Sequence, residues 1–593
     1  MDIDTTETPP KRRSILIVAE HRLGHGSGHL HRCARLAREL DGTVDWLLPE
    51  HPSQDHHDRA TVRKLLGEPD LPVSWVDKPR GPYDLVVLDR RSATVKDLEE
   101  LQVAGLAVGI DLAGEAREYC HYTVDTLQTP PGSPRANVSD PGLLHLPLRV
   151  RSEWPEELKS ILVVFGGETV PGSAVERADE LAQRSGRRVT VVAEPDHQLP
   201  ETLNRLTARG DLAEHLAQFD LVVTHYGLTA FEALWARVPV VLWNPSAYHQ
   251  QLSRHAGFPT VASADDLLRR LEQFDEVKSA AERLRPAGSS SLAGLLNDLE
   301  LPERTGPPIG GTPWHPAIER FGERTFYRHR DTGLVFMHRF RPATIAYDHD
   351  YFFNAYREQY GRTYLEDFQH IEAMGNRRMR MILSGLTIRR RRVTHRESVP
   401  HLLDVGCAYG PFLSSAVSAG CSVMGVDVSS EAVSYVQSTL GFPAVHGNIL
   451  TMDLDELAPP FDVVTMWYVI EHFSALDELL RRVRRLLRPG GLFAFSTPNA
   501  SGISGKRNQR EFLRQSPEDH FAVFDPTSVR AVLADFGFEV KGIRTTGHHP
   551  ERFGLPLGKR AAVHRGWRYQ VVKGLSQVLQ LGDTFEVLAE RRS

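Results

Sequence analysis

The segment HLLDVGCAYGPFL contains residue types that suit nucleoside binding at the end of a β-strand. An apolar run ends at Asp404 and leads into Gly406, Ala408 and Gly410. Small residues let the backbone turn sharply and approach a ligand, and the helix that follows offers free N–H groups. Because the same pattern also serves as a plain strand-to-helix connection, the neighbouring segments have to decide between the two interpretations.

Three further segments place polar side chains where ligand contacts are expected. A second predicted strand, CSVMGVDV, ends in Asp427, whose carboxylate can accept hydrogen bonds from both hydroxyls of a ribose. Asn448 in HGNIL follows the third predicted strand, where an amide can lie near an adenine ring. The fourth predicted strand lies in FDVVTMWYVIEHF, and Trp467, Glu471 and His472 follow it. A nicotinamide site would share the first two features, so this alternative stays open.

Together, DVGCAYG, GVDVS, GNI, FDVVTMWYVIEH and RPGGLFAFSTPN resemble the class I S-adenosylmethionine-dependent methyltransferases, especially those that methylate sugars and other small molecules. The likeness covers residues 401–499 and implies S-adenosylmethionine as the cofactor. Ala408 stands where many members have glycine, a departure expected only to tighten the turn. The flanks YFFNAYREQYGRTYLEDF and LGDTFEVLAERR look like those of methylases in surface-glycan gene clusters. The cofactor-binding residues that the resemblance implies are Asp404, Gly406, Ala408, Gly410, Asp427, Asn448 and Trp467.

Two histidines are candidate catalytic residues of this domain. Methyl transfer is an in-line displacement from a sulfonium, so a general base is needed only if the acceptor is a hydroxyl. His472 follows the fourth strand, where its alternative role is to order the loop and the cofactor. His520, in SPEDHFAVFD, follows the fifth strand, where a lid on the acceptor side can lie, although a lone histidine is often a satisfied polar residue.

A second set of candidate residues lies near the N-terminus. The predicted strand SILIVAE is followed by the glycine-rich turn HRLGHGSGHLHRC, in which Gly28 precedes His29 at the first turn of a helix. A helix N-terminus disfavours imidazolium, which predicts a neutral His29 that can accept a proton. The alternative is a phosphate-binding or purely structural turn, and the spacing does not separate these.

The following lobe repeats this arrangement of strand, turn and helix. ILVVFGGETVPG puts Gly166 and Gly167 at a strand end, and the amides of a helix that begins after Gly227 can hold a diphosphate. Glu232, one turn later, can reach a nucleotide ribose. Thr229 and Glu232 also have the spacing of a capping box, which stabilises a helix start without any ligand.

GSGHLHRC, FGGE and HYGLTAFEA…NPSAYHQ together resemble the nucleotide-sugar hydrolases of the pseudaminic acid pathway, which share a GT-B architecture with the MurG-type glycosyltransferases. In that family the histidine of a GxGHxxR motif is proposed to activate water, and it maps onto His29, with Arg32 completing the motif. HYGLT and LDRRS depart from the family pattern, which favours nucleotide-sugar binding over the exact hydrolase activity. The candidate nucleotide-sugar-binding residues are Gly28, Arg32, Gly166, Gly167, Gly227, Thr229 and Glu232.

These residues need parallel strands with crossover helices to position them, and the chain alternates short β-branched runs with amphipathic stretches in two separate regions. The expected fold class is α/β, with a GT-B-like pair of Rossmann lobes and a Rossmann-like class I methyltransferase sheet under a helical cap. The expected domains are a nucleotide-sugar domain over 14–285 with lobes at about 14–150 and 151–285, a Pro-, Gly- and Ser-rich linker over 286–316, a helical cap over 317–400, and the methyltransferase domain with its tail over 401–593.

Composition narrows the choice of partners. Of 593 residues, 70 are Lys or Arg and 76 are Asp or Glu, so no broad cationic surface for nucleic acid is expected. No apolar run is long enough for a membrane span or a signal-peptide core. The four cysteines lack the close spacing of a zinc knuckle or a disulfide framework, so no metal site is expected and a reducing cytoplasm fits best.

The sequence therefore predicts a cytoplasmic S-adenosylmethionine-dependent methyltransferase that acts on a sugar, a glycan or a related small molecule. A domain similar to nucleotide-sugar hydrolases is fused to it, and the pair is expected to serve surface-glycan biosynthesis. Two alternatives stay open for the N-terminal domain. In the first alternative this domain is a glycosyltransferase and not a hydrolase, and in the second it is a non-catalytic glycan-binding module that targets the methyltransferase.

Overall fold

The chain folds into two compact units. The first holds Met1–Pro302 and Arg320–Glu323, and the second holds Glu303–Glu319 and Arg324–Ser593. The computed structural model describes residues 12–22, 28–48, 56–67, 70–127, 129, 132–165, 173–193, 198–207, 212–301, 304, 306–341, 356–393, 399–553 and 567–592.

The first unit is built from strands that alternate with helices. Its strands are β1 Arg13–Ala19, β2 Gly42–Leu47, β3 Ser74–Val76, β4 Tyr83–Asp89, β5 Val103–Ile110, β6 Tyr122–Asp125, β7 Val138–Ser139, β8 Ser160–Val163, β9 Arg188–Val192, β10 Leu203–Leu206, β11 Leu221–Thr224, β12 Val240–Trp243 and β13 Thr260–Val261. Its helices are α1 Gly28–Glu39, α2 Arg59–Leu66, α3 Val95–Glu100, α4 Ala116–Tyr119, α5 Ser173–Ser185, α6 Leu212–His215, α7 Leu228–Trp235, α8 Ala247–Ala256, α9 Ala264–Glu272, α10 Phe274–Leu284 and α11 Leu292–Asn297.

These strands form two Rossmann-like parallel sheets, as the alternation predicts. One is ordered β3-β2-β1-β4-β5-β6-β7 and the other β10-β9-β8-β11-β12-β13. In the first, β1 pairs with β4 in parallel, so that Ala19 lies opposite Asp89. The strand order reverses between these two strands, and this is where open α/β sheets form a ligand crevice at the carboxyl ends of the strands.

The second unit contains a larger mixed sheet and a smaller one. Its strands are β14 Ala317–Phe321, which runs into the stretch assigned to the first unit, β15 Arg324–Arg328, β16 Val335–Arg339, β17 His401–Val405, β18 Ser422–Asp427, β19 Ala444–His446, β20 Phe461–Trp467, β21 Leu487–Pro498, β22 Ala522–Val523, β23 Phe538–Thr546 and β24 Thr584–Arg591. Its helices are α12 Tyr356–Tyr360, α13 Phe368–Val393, α14 Pro411–Ser418, α15 Ser430–Ser438, α16 Leu476–Leu486, α17 Ile503–Arg507, α18 Gln509–Gln515, α19 Ser528–Asp535 and α20 Trp567–Val578.

The larger sheet is ordered β19-β18-β17-β20-β21-β24-β23, and β24 is antiparallel to both neighbours. Helix α16 illustrates how the sheet is covered. Its apolar residues recur at helical spacing and are all buried, which gives the helix one face for the core. These residues are Leu476, Leu479, Leu480, Val483 and Leu486. The carboxyl ends of β17, β18 and β20 therefore share one edge, which is where the predicted cofactor residues lie.

The structure differs from the expectation for residues 317–400 and for the linker. Residues 317–339 form three strands instead of a helical cap, and β14-β15-β16-β22 make a four-stranded sheet. Tyr327 and Phe336 are cross-strand partners with stacked rings 5.2 Å apart, which favours strands over helices here. Helices are found farther on, in α12 and α13.

The predicted linker is also partly ordered. Within it, α11 buries Leu292, Ala293 and Leu296. Arg13 donates hydrogen bonds to the carbonyls of Leu296 and Leu299, which ties this segment to β1. Among the helices that the structure describes, none has both the length and the apolar character needed to cross a bilayer.

Candidate functional site

The glycine-rich turn after β17 has a conformation that depends on its small residues. Gly406 has a φ of +75°, and a Cβ atom there would lie 2.4 Å from Val469 Cγ2. Gly410 has a φ of +79°. Ala408 also lies in the left-handed region, at a φ of +45°, which costs an alanine about 1–2 kcal/mol. The departure at Ala408 therefore strains the turn and does not merely tighten it.

Asp427 closes this turn from the neighbouring strand β18. Its Oδ2 accepts a hydrogen bond from the Ala408 N–H at 2.8 Å, and its Oδ1 accepts one from the Ser429 N–H at 2.9 Å. Burial raises the pKa of the Asp427 carboxyl, and these N–H donors oppose the rise. A third backbone N–H, that of Val428, also acts on this carboxylate. A carboxylate has about four acceptor positions, so the side chain can still accept a hydrogen bond from a hydroxyl group of a ligand.

Asp404 lies deeper in the same edge and is 2 % exposed. Burial raises the pKa of its carboxyl to about 7, although the Thr465 hydroxyl donates a hydrogen bond to Oδ1 at 2.6 Å and opposes the rise. The side chain is therefore poised to change its charge near neutral pH, next to a turn built to approach a ligand.

This pKa leads to a pH-dependent difference in stability. The folded chain holds the Asp404 proton up to about pH 7, whereas the ordinary pKa is 3.8, so the stabilisation is complete below pH 3.8 and is lost as the pH rises to 7. The loss is on the order of 4 kcal/mol. We expect thermal unfolding to show that the melting temperature of Asp404→Asn, relative to that of the parent, increases from pH 5 to pH 8. The exposed control Asp455→Asn should show no such gain, and a constant difference for Asp404→Asn would contradict the expectation.

The segment before β17 contributes two residues that sequence reasoning missed, one in the turn between α12 and α13 and one in α13. Tyr364 packs beside Tyr409 with ring centroids 6.1 Å apart, and burial raises the pKa of the Tyr364 phenol well above its ordinary value. The Arg378 guanidinium lies 4.2 Å from the centroid of the Trp467 ring. Neither contact could be predicted from the spacing of residues, because the residues in each pair are at least 45 positions apart in the sequence.

Trp467 and Asn448, two of the predicted cofactor-binding residues, differ in the hydrogen-bonding groups that they can offer to a ligand. The Trp467 indole N–H is buried and meets no acceptor among the residues that the structure describes, so it is available to a ligand. Asn448 is exposed, and its Oδ1 accepts a hydrogen bond from the Leu450 N–H at 2.9 Å. Asn448 thus forms a local turn at the end of β19, and its side-chain NH₂ is the part left for a ligand.

Beyond β20, a short 3-10 turn, Ile470–His472, carries the acceptor-side candidates. His472 Nδ1 lies 2.9 Å from Asp519 Oδ2, and the rings of His472 and His520 meet edge to face with centroids 4.7 Å apart. The structure therefore brings together the two histidines that the sequence singled out. Asp519 was missed, although it directly precedes His520.

The charges of this group are set by burial and by its neighbours. Burial lowers the pKa of His472, but the Asp519 hydrogen bond and the Glu471 charge outweigh it and raise that pKa above its ordinary value. Burial lowers the pKa of His520 to about 3, and burial raises the pKa of Glu471 to about 7. Near neutral pH, His520 is an uncharged imidazole beside a histidine that can exchange a proton.

In the first unit, His29 lies in the first turn of α1 against the end of β4. Its Nδ1 is 2.5 Å from Oδ1 of Asp89, a fully buried carboxylate. Arg32 donates from Nε to Asp89 Oδ2 at 2.6 Å and from a terminal nitrogen to Asp111 Oδ2 at 2.6 Å. Arg32 is thus held by two carboxylates and orients Asp89, whereas the Nε2 atom of His29 is the one left for a substrate.

The second lobe brings the start of α7 close to the start of α1. A Cβ at Gly28 would lie 2.8 Å from the Leu228 side chain, so the two helix N-termini are neighbours. The capping box expected from Thr229 and Glu232 is wrong. The N-cap is Gly227, which makes no side-chain cap, because the helix begins at Leu228 and takes Thr229 inside it.

Glu232 lies one turn into α7, and burial raises the pKa of its carboxyl to about 7, with Arg35 opposing the rise. An acidic group that is protonated near neutral pH can donate a hydrogen bond to a ligand as well as accept one. The predicted pair Gly166 and Gly167 lies outside the described residues.

Comparison with known proteins identifies part of the second unit. Residues 376–541 match a family model described as a methyltransferase domain. The chain is 27% identical over 159 residues to a ubiquinone biosynthesis O-methyltransferase from Pseudomonas syringae pv. tomato, which covers 25% of this chain and 68% of that relative. The ubiquinone biosynthesis O-methyltransferase from Coxiella burnetii is 24% identical to this chain over 173 residues, and the match covers 28% of this chain and 74% of that relative.

Solved structures with a partial likeness include two methyltransferases. A SAM dependent methyltransferase from Archaeoglobus fulgidus has a TM-score of 0.28 and 16% identity, covering 40% of this chain and 98% of its own. Magnesium protoporphyrin IX methyltransferase from Synechocystis with bound SAH has a TM-score of 0.27 and 14% identity, covering 41% of this chain and 97% of its own.

The residues present suit S-adenosylmethionine. The Asp427 carboxylate lies at the carboxyl edge of the sheet and can accept hydrogen bonds from hydroxyl donors, and the buried Trp467 N–H needs an acceptor. When bound, this cofactor supplies an electrophilic methyl group on a sulfonium. The family match over residues 376–541, the similar O-methyltransferases and the residues at this edge of the sheet all point to methyl transfer from this cofactor. The chain is a methyltransferase that depends on S-adenosylmethionine, and its second unit holds the methyltransferase domain.

Proposed function

We propose that this protein transfers the methyl group to a hydroxyl oxygen of a sugar or glycan. The observation that carries the proposal is the pair His472 and Asp519, which lies just beyond the strand whose following loop contacts the glycine turn through Val469. A hydroxyl must lose its proton to attack a methyl group, and a histidine oriented by a carboxylate suits that step. The names of the two relatives, O-methyltransferases at 27% and 24% identity, agree with an oxygen acceptor.

In this proposal, different residues at the carboxyl edge of the sheet contact different parts of the cofactor and the acceptor. Asp404 and the turn from Gly406 to Gly410 face the methionine end of the cofactor, and Asp427 holds the ribose hydroxyls. Trp467 donates its indole N–H within the same edge, and the Asn448 amide is assigned to the adenine region. His472 activates the acceptor, and His520 lies beside it.

A screen of labelled products tests the acceptor. Purified protein is incubated with a cell extract and with S-adenosylmethionine that carries a trideuterated methyl group. We expect mass spectrometry to find the label on a sugar-containing compound, and NMR to place it on oxygen. A label found only on amines or thiols, with none on oxygen, would rule the proposal out.

We infer that the first unit is a GT-B-like domain that binds a nucleotide-sugar. Support comes from two parallel sheets with adjoining helix N-termini, from the α7 N-terminus without a side-chain cap, and from His29 backed by Asp89. His29 would activate water or an acceptor, and Gly227, Thr229 and Glu232 would lie against the nucleotide. Incubation with a panel of labelled nucleotide-sugars separates the activities, because free sugar or sugar phosphate marks hydrolysis and sugar on an acceptor marks transfer.

Asp89→Asn should slow turnover of whichever nucleotide-sugar the panel identifies, by about 100-fold or more, because an amide holds the histidine in the wrong tautomer. Binding of the same compound, measured by calorimetry, should change little. Asp77→Asn, at an exposed carboxylate in this unit, is the matched control. Unchanged turnover in Asp89→Asn would contradict the role proposed for the His29–Asp89 pair. Binding without any turnover in the parent would favour a binding module that targets the methyltransferase.

The four cysteines are buried and free, which agrees with a reducing compartment such as the cytoplasm. Location is therefore part of the proposal, together with a role in surface-glycan biosynthesis.

A further inference from the structure

Tyr468, the residue that follows β20, has a backbone conformation that is costly for an aromatic residue. Its φ is +61°, in the left-handed region where a residue with a Cβ atom is strained and where bulky residues are seldom found. Among the non-glycine residues with positive φ that the structure describes, it is the only aromatic one. Strained conformations of this kind cluster at functional sites, where the surrounding structure holds them in place.

The contacts of the neighbouring residues hold this conformation. The Tyr468 N–H donates a hydrogen bond to the Ser496 carbonyl on β21 at 3.1 Å. The next residue, Val469, packs against the glycine-rich turn, because a Cβ atom at Gly406 would lie 2.4 Å from Val469 Cγ2. The chain then enters the 3-10 turn that ends at His472. Tyr468 is therefore fixed in the loop that contacts the glycine-rich turn and carries the proposed acceptor-activating histidine.

The Tyr468 ring lies at the cofactor edge of the sheet. The Arg378 guanidinium is 4.2 Å from the centroid of the Trp467 ring and 5.9 Å from the centroid of the Tyr468 ring, so two aromatic rings flank one cation. Arg378 is 4% exposed, whereas Tyr468 is 42% exposed. Tyr468 therefore offers aromatic surface to a ligand bound beside the Trp467 indole.

An accessible aromatic ring can bind the apolar face of a sugar. One face of many pyranose rings carries several C–H bonds, and the electron-rich face of an aromatic ring attracts their partly positive hydrogen atoms. Gly or Asn would adopt a positive φ more easily than Tyr does. The presence of Tyr at this position indicates that the aromatic ring, and not only the reversal of the chain, is needed there.

We propose that Tyr468 is a stacking platform for the six-membered ring of the sugar that accepts the methyl group. Stacking would orient the sugar so that one of its hydroxyl groups faces the methyl donor, which selects the position that is methylated. This inference rests on the proposed function, because it concerns the acceptor of that reaction. It makes Tyr468 a specificity-determining residue, and removal of the proton stays with His472.

Two substitutions separate the ring from the backbone conformation. Tyr468→Phe keeps the aromatic face, so the KM for the sugar compound that the extract screen identifies should stay within about 3-fold of the parent. Tyr468→Asn removes the ring but tolerates a positive φ, and it should raise that KM at least about 10-fold. The affinity of both variants for S-adenosylhomocysteine, measured by calorimetry, should match that of the parent. The control Trp567→Ala removes a residue that is 73% exposed on α20 and should leave the KM unchanged.

Saturation-transfer difference NMR tests the stacking without catalysis. The full-length protein with S-adenosylhomocysteine is mixed with methyl α-D-mannopyranoside, methyl α-D-galactopyranoside or catechol, and the aromatic protons of the protein are irradiated. Saturation should reach the C–H protons of a glycoside in the parent and in Tyr468→Phe, and much less in Tyr468→Asn. Glycosides that gain no saturation in the parent overturn the inference, and saturation of catechol alone identifies an aromatic acceptor instead.

The outcomes distinguish this inference from the proposed function. Label on a sugar oxygen, with a KM in Tyr468→Asn within about 2-fold of the parent, overturns the inference and leaves the function standing. Circular dichroism checks that the variant is folded, and Tyr468→Gly takes its place if it is not, because glycine adopts a positive φ without strain. Saturation of a glycoside that depends on Tyr468, combined with label only on nitrogen, supports the platform and overturns the function.

Discussion

Replacement of Asp427 by alanine is expected to weaken the binding of S-adenosylhomocysteine at least about 100-fold, which is about 2.7 kcal/mol. In the proposed site, two ribose hydroxyls donate hydrogen bonds to the Asp427 carboxylate, and hydrogen bonds to charged groups contribute about 1.5–3 kcal/mol each. The variant also removes the acceptor for the Ala408 and Ser429 N–H groups and so loosens the turn. Calorimetric titration of the purified protein measures the change.

A second substitution separates the ligand contact from the support of the turn. Asp427→Asn keeps one oxygen acceptor and loses the charge, so its affinity should lie between those of the parent and of Asp427→Ala. Asp455→Ala removes a carboxylate that is 77% exposed in the same domain, and it should bind as the parent does. If Asp427→Ala binds S-adenosylhomocysteine as tightly as the parent, the assignment of the cofactor edge is wrong.

His472→Gln is expected to lower the rate constant of methyl transfer by about 10²- to 10⁴-fold, the range typical for loss of a group that activates an acceptor. The affinity for S-adenosylhomocysteine should stay within a few-fold of the parent, because His472 lies beyond the turn that is proposed to hold the cofactor. Label incorporation into the compound that the extract screen identifies, under single-turnover conditions, measures the rate constant.

Asp519→Asn tests whether the orientation of His472 matters. The variant retains the imidazole but loses the carboxylate that raises the His472 pKa, so the pH–rate profile should shift toward lower pH, with a smaller loss in rate. His370→Gln, at an exposed position on α13, should keep both the rate and the profile. Full activity in His472→Gln would leave this histidine with only a structural role in the loop.

Much of the cofactor edge was predictable from local pattern. Parallel strands end at a common edge, so a residue that follows an apolar run is placed there by topology alone. Asp404, Gly406 and Asp427 lie where this rule puts them. In the first unit the same rule predicts two parallel sheets and sets His29 at the start of α1.

The local sequence pattern predicted the wrong structure at two places, the start of α7 and residues 317–339. The capping-box spacing of Thr229 and Glu232 is present, but Gly227 takes the N-cap position and the helix begins one residue before Thr229. Residues 317–339 lie next to an aromatic-rich stretch that was predicted to be helical, yet they form strands with paired aromatic side chains.

The sequence by itself determined the two regions of α/β alternation and the residue types at the ends of their strands, because strand period, glycine turns and apolar runs are local properties. Only the tertiary structure decided which carboxylate stands behind each histidine. Asp89 reaches His29 from 60 residues away, and Asp519 reaches His472 from a separate segment. Such pairs follow from how strands and loops pack against one another, and the spacing of residues along the chain does not encode that packing.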